Sequence, residues 1–295
     1  MTNFFERLKQ EKVLVSDGAI GSLLFEKGLT PGDCPERFNL ERPDVLAEIV
    51  QEYLQAGADI LQTNTFGASP LKLADYKLED KTEEINQRAV EIVKQVVGSK
   101  ALVSGSVGPT GKMLTPYGNV KPATMKDNYR RQISALIDSG ADLLCIETMT
   151  DLNEAIIAVE TAREISKDIP IIATMTFDVI PKGCVTIMGN TVAEVCKNLE
   201  AAEANVIGSN CGNGTKNMIV IAQEFIDNSQ LPTIIQSNAG LPSVINDSVV
   251  YQETPSDFNE FSKTLIDMGV SIIGGCCGTT PDHIRAIRQS VDNYL

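Results

Sequence analysis

The sequence predicts an α/β protein, a single (β/α)8 TIM barrel spanning residues 1–295, with its active site at the C-terminal ends of the strands. Three observations predict it. Eight short apolar runs alternate with helical patterns along the chain. Four of the runs repeat one design: 56–65 (AGADILQTNT), 139–148 (SGADLLCIET), 202–211 (AEANVIGSNC) and 268–277 (MGVSIIGGCC). Each closes a helix-like stretch, turns through a small residue and runs as an apolar strand to a polar tip. Such continuous apolar runs belong to strands buried on both faces, as in parallel sheets. Finally, a doubly wound open sheet would need a Gly-rich phosphate turn after the first strand, and 17–21 (DGAIG) lacks that spacing.

The elements follow in order. The first strand is 13–17 (VLVSD), and the second is the repeat ending at Thr65. A helix over 82–97 leads to the third strand, 101–106 (ALVSGS), and a helix over 124–139 to the fourth, which ends at Thr148. Helix 151–166 precedes the fifth strand, 170–176 (PIIATMT), and helix 191–201 the sixth, which ends at Cys211. Helix 215–228 then leads to strand seven, 232–238 (PTIIQSN), helix 256–268 to strand eight, and helix 281–294 closes the chain. Several of these helices start at a Thr, Ser or Asp able to cap them. The longest irregular stretches are 28–39, 108–122, 178–190 and 241–255. All but the first follow strands, where a barrel builds its active-site rim.

Bulk properties narrow the function. Lys plus Arg number 25 and Asp plus Glu 39, for a net charge of −14. An acidic chain without a basic cluster is a poor match for nucleic acid or an anionic membrane surface. The N-terminus has no basic segment followed by an apolar one, and no run is long enough to span a membrane, so a cytoplasmic location is expected. Seven cysteines in a reducing compartment point to metal binding, nucleophilic chemistry or plain burial.

Aligning the repeats locates the chemistry. Thr65, Thr148, Cys211 and Cys277 share one register, and Asn64, Glu147, Asn210 and Cys276 share the one before. All sit at strand tips. Cys211 follows strand six, the Cys276–Cys277 pair follows strand eight, and Asn238 sits at the tip of strand seven between them. Three thiolates on one centre make a zinc site with one position open; the alternatives are buried free cysteines or a redox pair. Cys34, Cys145, Cys184 and Cys196 read instead as small buried hydrophobes. Asp17, ahead of Gly18 and Ala19 at a helix start, is either an N-cap or part of a loop whose N–H groups suit a substrate carboxylate. Glu147 needs a cationic partner at its depth, either an α-ammonium group or an internal Arg or Lys. His283, the single histidine, lies outside the strand-tip register and reads as structural, which disfavours a Ser-His-Asp triad and a His-ligated zinc hydrolase.

Several segments together carry a family resemblance: DGA at 17–19, NTFG at 64–67, VGPTG at 107–111, Glu147-Thr148, MTFD at 175–178, Asn210-Cys211, SNAG at 237–240 and GGCCGTTP at 274–281. The chain resembles the zinc-dependent homocysteine S-methyltransferase family over nearly its whole length, and most resembles the homocysteine-binding module of cobalamin-dependent methionine synthases. The resemblance implies zinc on Cys211, Cys276 and Cys277, with homocysteine sulfur as the fourth ligand and Asn238 in that position when substrate is absent. It implies that Asp17 and Glu147 hold the substrate amine and that Gly18 and Ala19 N–H groups lie near its carboxylate. The rim loops carrying Asn64 and Thr65 and spanning 106–111 either contact substrate or shape the turn. It leaves the donor to be weighed. Betaine-using relatives cage the quaternary ammonium with a Trp, and this chain has none. Relatives that use S-methylmethionine read Cys-Cys-Arg, whereas here Gly278 follows Cys277. The expected donor is therefore methylcobalamin, a methylated corrinoid, carried by a separate protein. S-methylmethionine or S-adenosylmethionine is the alternative, and a zinc subunit that binds a thiol or partner without turnover is the reading from another class.

Overall fold

The computed structural model describes residues 4–245 and 248–294. Its strands are β1 (Leu14–Val15), β2 (Ile60–Gln62), β3 (Leu102–Val107), β4 (Leu143–Met149), β5 (Ile171–Met175), β6 (Asp178–Ile180), β7 (Gly183–Val185), β8 (Val206–Asn210), β9 (Thr233–Ser237), β10 (Ser243–Ile245), β11 (Ser248–Val250) and β12 (Ile272–Gly275). Eight of them pair in parallel in the order β1-β12-β9-β8-β5-β4-β3-β2. A parallel bridge from Ser16 to Ile60 closes the ring, and Asp59 N–H donates across the same seam to the Val15 carbonyl at 2.7 Å. All eight expected strands are present, and the fold is the expected barrel.

The helices are α1 (Phe4–Gln10), α2 (Ile20–Glu26), α3 (Phe38–Glu41), α4 (Pro43–Gln55), α5 (Pro70–Leu73), α6 (Thr82–Val97), α7 (Pro122–Asp138), α8 (Leu152–Ile165), α9 (Val192–Ala201), α10 (Thr215–Asn228), α11 (Pro255–Met268) and α12 (Pro281–Tyr294). Helices α6, α10 and α12 have the expected bounds. Asp151 caps α8, and Thr191 closes a capping box on α9. Helix α7 starts ahead of Thr124 because Pro122 occupies its first turn, where a missing N–H costs nothing. Thr254, ahead of Pro255, caps α11 in the same manner as Thr191. No helix among the described residues is long and apolar enough to cross a membrane.

Two stretches expected to be irregular contain hairpins. Residues 178–190 include the antiparallel pair β6–β7, turned through Pro181 and Lys182, and 241–255 include β10–β11. These strands lack the long apolar runs of the barrel, because they are mostly solvated. Positions 246–247 of the second stretch lie outside the described residues.

The barrel interior changes character along its axis. Leu14, Ile60, Leu102, Leu143, Ile172, Val206, Ile234 and Ile272, one from each barrel strand, form an apolar floor, and Phe4 of α1 packs into it. Side chains two residues apart share a face of a strand. The next inward positions include Ser16, Gln62, Ser104, Thr174 and Gln236, all buried and polar. Above them, at the strand tips, lie Ser106, Glu147, Asn210 and the sulfur-bearing residues. Apolar packing at the base thus holds a polar upper interior in place.

Candidate metal centre and substrate cavity

The sulfur centre is built by two turns. After β8, Cys211 adopts a left-handed φ of +63° and donates its N–H to the Gln236 carbonyl at 3.2 Å. After β12, Cys276 N–H donates to the Ser237 carbonyl at 2.7 Å. Gly278 then turns with a φ of +77° against the ring of Tyr251, where a side chain would strike that ring. The sulfurs of Cys211, Cys276 and Cys277 lie within 4.8 Å of one another, with Cys211 and Cys277 3.8 Å apart. A tetrahedron of Zn–S bonds near 2.3 Å has edges of about 3.8 Å.

Three sulfurs this close cannot all ionise without a cation. Hydrogen bonds from Cys276 and Cys277 pull the Cys211 thiol down, and those same bonds, with burial and the charge on Cys211, push the other two up. Asn238 faces the same centre. Its side chain contributes a hydrogen bond that favours the Cys211 thiolate, while its Oδ1 is buried with no hydrogen-bond partner. An orphaned oxygen beside three thiols fits a divalent metal with a soft donor set.

Next to the sulfurs opens a cavity of about 250 Å³. Glu147, 9% exposed, lies on its wall, with Ser106 Oγ donating to Oε1 at 2.5 Å and Asn210 Nδ2 to Oε2 at 3.3 Å. Burial pushes its carboxyl up to about 7. Asp17 is 2% exposed and sits behind the wall made by Gly18 and Gln62, accepting from Gln62 N–H at 2.8 Å. Burial, opposed by that bond and reinforced by the charge of Glu147, pushes Asp17 up to about 8. Among the described residues no Lys or Arg pairs with either acid, which removes the internal salt bridge as an account of Glu147. Gln62 and Gln236 also line the cavity, and the Oε1 of each is buried without a partner.

The remaining expected residues divide. Gly18 and Ala19 line the cavity, and a side chain at Gly18 would meet Thr279 Oγ1 at 2.5 Å. Ala19 N–H, however, donates to Thr279 Oγ1 at 3.1 Å, so it is not an unclaimed donor. Asn64 is on the wall, with its amide nitrogen tied to the Pro35 carbonyl at 2.8 Å and Asn39 Oδ1 at 3.0 Å. Thr65 is a correction: it is 0% exposed, its hydroxyl donates to the Ser106 carbonyl at 2.7 Å, and it is not among the residues lining the cavity. The chain bends after Asn64, so strict strand alternation fails there and Thr63 lines the cavity instead. His283 is buried and structural, with Nδ1 on Thr280 and Nε2 on the Glu253 carbonyl at 3.0 Å. Cys34, Cys145, Cys184 and Cys196 are buried away from the triad.

Ser106 lines the cavity, and Gln62, Gln236 and Glu36 do so without having been expected there. For two of them the signal was present: Gln62 stands two residues before Asn64, and Gln236 two before Asn238, on the inward face of their strands. Glu36 comes from a single 3-10 turn, Pro35–Arg37, and its carboxylate accepts from Gly67 N–H at 2.6 Å, a contact no local pattern announces.

Comparison with known proteins agrees with this geometry. The model of a family described as homocysteine S-methyltransferase matches residues 14–291. Methionine synthases of Mycobacterium leprae and Mycobacterium tuberculosis are each 32% identical to the chain, over 98% and 99% of it. The chain spans only 25% and 26% of their lengths. The metallated form of the homocysteine methyltransferase MmuM from Escherichia coli superposes with a TM-score of 0.80 at 22% identity, covering 96% of this chain and 97% of that one. Its apo form gives 0.75. With the family model covering almost all of the barrel, and with the cysteines at its rim in place, the chain belongs to the homocysteine S-methyltransferase family.

Proposed function

We propose that the chain transfers a methyl group to the sulfur of homocysteine, giving methionine. One observation carries the reading: a single cavity joins three convergent sulfurs to the carboxylate of Glu147, with Asp17 buried behind its wall, and among the described residues neither acid pairs with a Lys or Arg. An amino acid with a thiol side chain complements both. Zinc held by Cys211, Cys276 and Cys277, with Asn238 Oδ1 in the fourth position until the acceptor sulfur takes it, would supply a cation that keeps an acceptor thiol ionised at neutral pH.

The chain's own side chains would do the rest. Glu147 offers its carboxylate to the substrate ammonium, and Asp17 adds negative charge from behind the wall. Gln62 and Gln236 supply carbonyl oxygens, which suits a group with three N–H donors. Gly18 N–H faces the substrate carboxylate, and Thr279 shares the N–H of Ala19. With the proton already gone from the sulfur, the methyl group passes to it while the donor keeps the bonding electron pair. No side chain then has to act as general base, in keeping with a histidine engaged elsewhere.

We further propose that the donor is a methylcorrinoid carried by a separate protein. The cavity suits an amino acid but not a corrin ring. Its rim carries exposed apolar side chains on the loops after four strands: Phe66, Met113, Tyr117, Ile187, Met188, Leu241, Val244 and Val249. Tyr117, Ile187 and Val244 are 79%, 78% and 74% exposed. Large apolar side chains exposed on several loops at one end of the barrel suit a surface that meets another macromolecule. The test compares methylcobalamin, free and protein-bound, with S-methylmethionine and betaine, using zinc-loaded enzyme and homocysteine. Turnover with methylcobalamin, faster when it is protein-bound, is expected. Efficient use of S-methylmethionine alone overturns the donor, and binding of homocysteine with no turnover from any donor favours the partner-dependent subunit.

A further inference from the structure

We infer that Asn210 is a positioning residue that sets the span between the amine anchor and the sulfur anchor, and thereby selects the length of the amino thiol. The inference rests on the homocysteine reading above. Asn210 ends β8, fully buried, one residue before Cys211. Its Oδ1 accepts from Thr148 N–H and from Thr174 Oγ1, both at 2.8 Å. Its Nδ2 lies 2.7 Å from Thr148 Oγ1, 3.3 Å from Glu147 Oε2 and 3.8 Å from Cys276 Sγ. Two N–H bonds are thus spread over three acceptors and both acceptor sites of the oxygen are used, so rotation of the amide would break several bonds at once.

This amide is the one side chain, among the described residues, that bonds both to a cavity carboxylate and to a sulfur of the triad. The turns it joins share an uncommon backbone. Thr148, directly after Glu147, has φ +59°, and Cys211, directly after Asn210, has φ +63°. Left-handed non-glycine residues persist where their surroundings over-determine them. Thr148 is held through both its N–H and its hydroxyl by Asn210. One side chain therefore fixes the turn that aims Glu147 and stands beside the turn that aims Cys211. Homocysteine has one more methylene than cysteine between Cα and sulfur, and a span fixed in this way discriminates against the shorter molecule.

The test measures the affinity of the zinc-loaded chain for homocysteine, cysteine, 4-mercaptobutanoate (no amine) and 2-aminobutanoate (no thiol). Wild type is compared with Asn210→Ala and with Thr174→Val. The second variant nearly preserves shape, touches neither acid nor sulfur, and removes one bond that orients the amide, so it decides the matter if Asn210→Ala fails to fold. In Asn210→Ala, homocysteine affinity should fall by about tenfold or more, with the preference over cysteine shrinking toward parity. The two single-ended ligands should each change by less than about threefold, and zinc should stay at one per chain. Thr174→Val should show the same pattern, smaller. Parallel losses for all ligands, an unchanged preference over cysteine, or zinc loss in both variants overturns the inference. A wild-type chain that fails to bind homocysteine overturns the functional reading itself, whereas normal wild-type binding with parallel losses in the variants overturns the role of Asn210 alone.

Discussion

At the scale of single residues, the thiols and the buried acids make separable predictions. Cys211→Ala and Cys277→Ala should each lose most of their zinc by elemental analysis, since two remaining sulfurs and an amide oxygen make a weaker site. Full retention in either variant would remove that cysteine from the ligand set. Asp17 and Glu147 respond to pH instead. Their folded carboxyls titrate near 8 and 7, well above the ordinary carboxylate range, because both are buried. A cation binds best to the ionised acids, so affinity for 2-aminobutanoate should rise between pH 6 and pH 8, as calorimetry can show. This probe has no thiol, so the rise belongs to the acids. The sign for stability is opposite. Acids with raised folded values bind more protons folded than unfolded, so their contribution is fullest below about pH 4 and is lost as pH rises toward 8. Asp17→Asn, which keeps an acceptor for Gln62 N–H, should therefore melt progressively higher than wild type as pH rises across that window, with the ligand-free protein used for both. A difference that is flat with pH would mean Asp17 is neutralised by something other than protonation.

At the scale of elements, helices and hairpins play different parts. The capping box on α9 uses Thr191 and Glu194, whose backbone and side-chain bonds are reciprocal. Thr191→Ala should cost about 1 kcal/mol in denaturant unfolding and leave methyl transfer unchanged. The hairpin β10–β11 is expected to do the reverse. Val244→Asp or Val249→Asp should leave melting near that of wild type and slow methyl transfer from a corrinoid protein several-fold, with free methylcobalamin unaffected. Equal slowing with both donors would place the effect inside the cavity rather than at the rim. These elements also show what could be read from the chain. Barrel strands announce themselves because burial on both faces demands an unbroken apolar run. The hairpin β6–β7 turns only Val179 and Cys184 toward the core, and β10–β11 exposes Val244 and Val249, so neither carries such a run. Thr65 was misplaced for a related reason: the repeat gives the register of the strand, but the backbone leaves that register at the tip, where Thr65 turns in toward Ser106. The cysteines kept their register and were legible; Asn210 was visible as a position, and its contacts with Glu147 and Cys276 needed coordinates.

At the scale of the whole molecule, metal and substrate should act on one cooperative barrel. Chelation should lower the melting temperature, and homocysteine at about 100 times its dissociation constant should add about 2.7 kcal/mol to the zinc-loaded protein. A thermal shift series with and without chelator checks both, and an equal homocysteine shift in stripped protein would detach the thiol from the sulfur centre. The ring closes where β1 meets both β12 and β2. That seam has a consequence for the order of events in synthesis. Asp17 is made before Cys211, and Cys276 and Cys277 follow later still. A nascent chain therefore holds one thiol of the triad, unpaired, until β12 slots between β1 and β9. The ion cannot be taken up by a half-made barrel on these terms, and its capture would report that β12 has met β1 and the ring has closed.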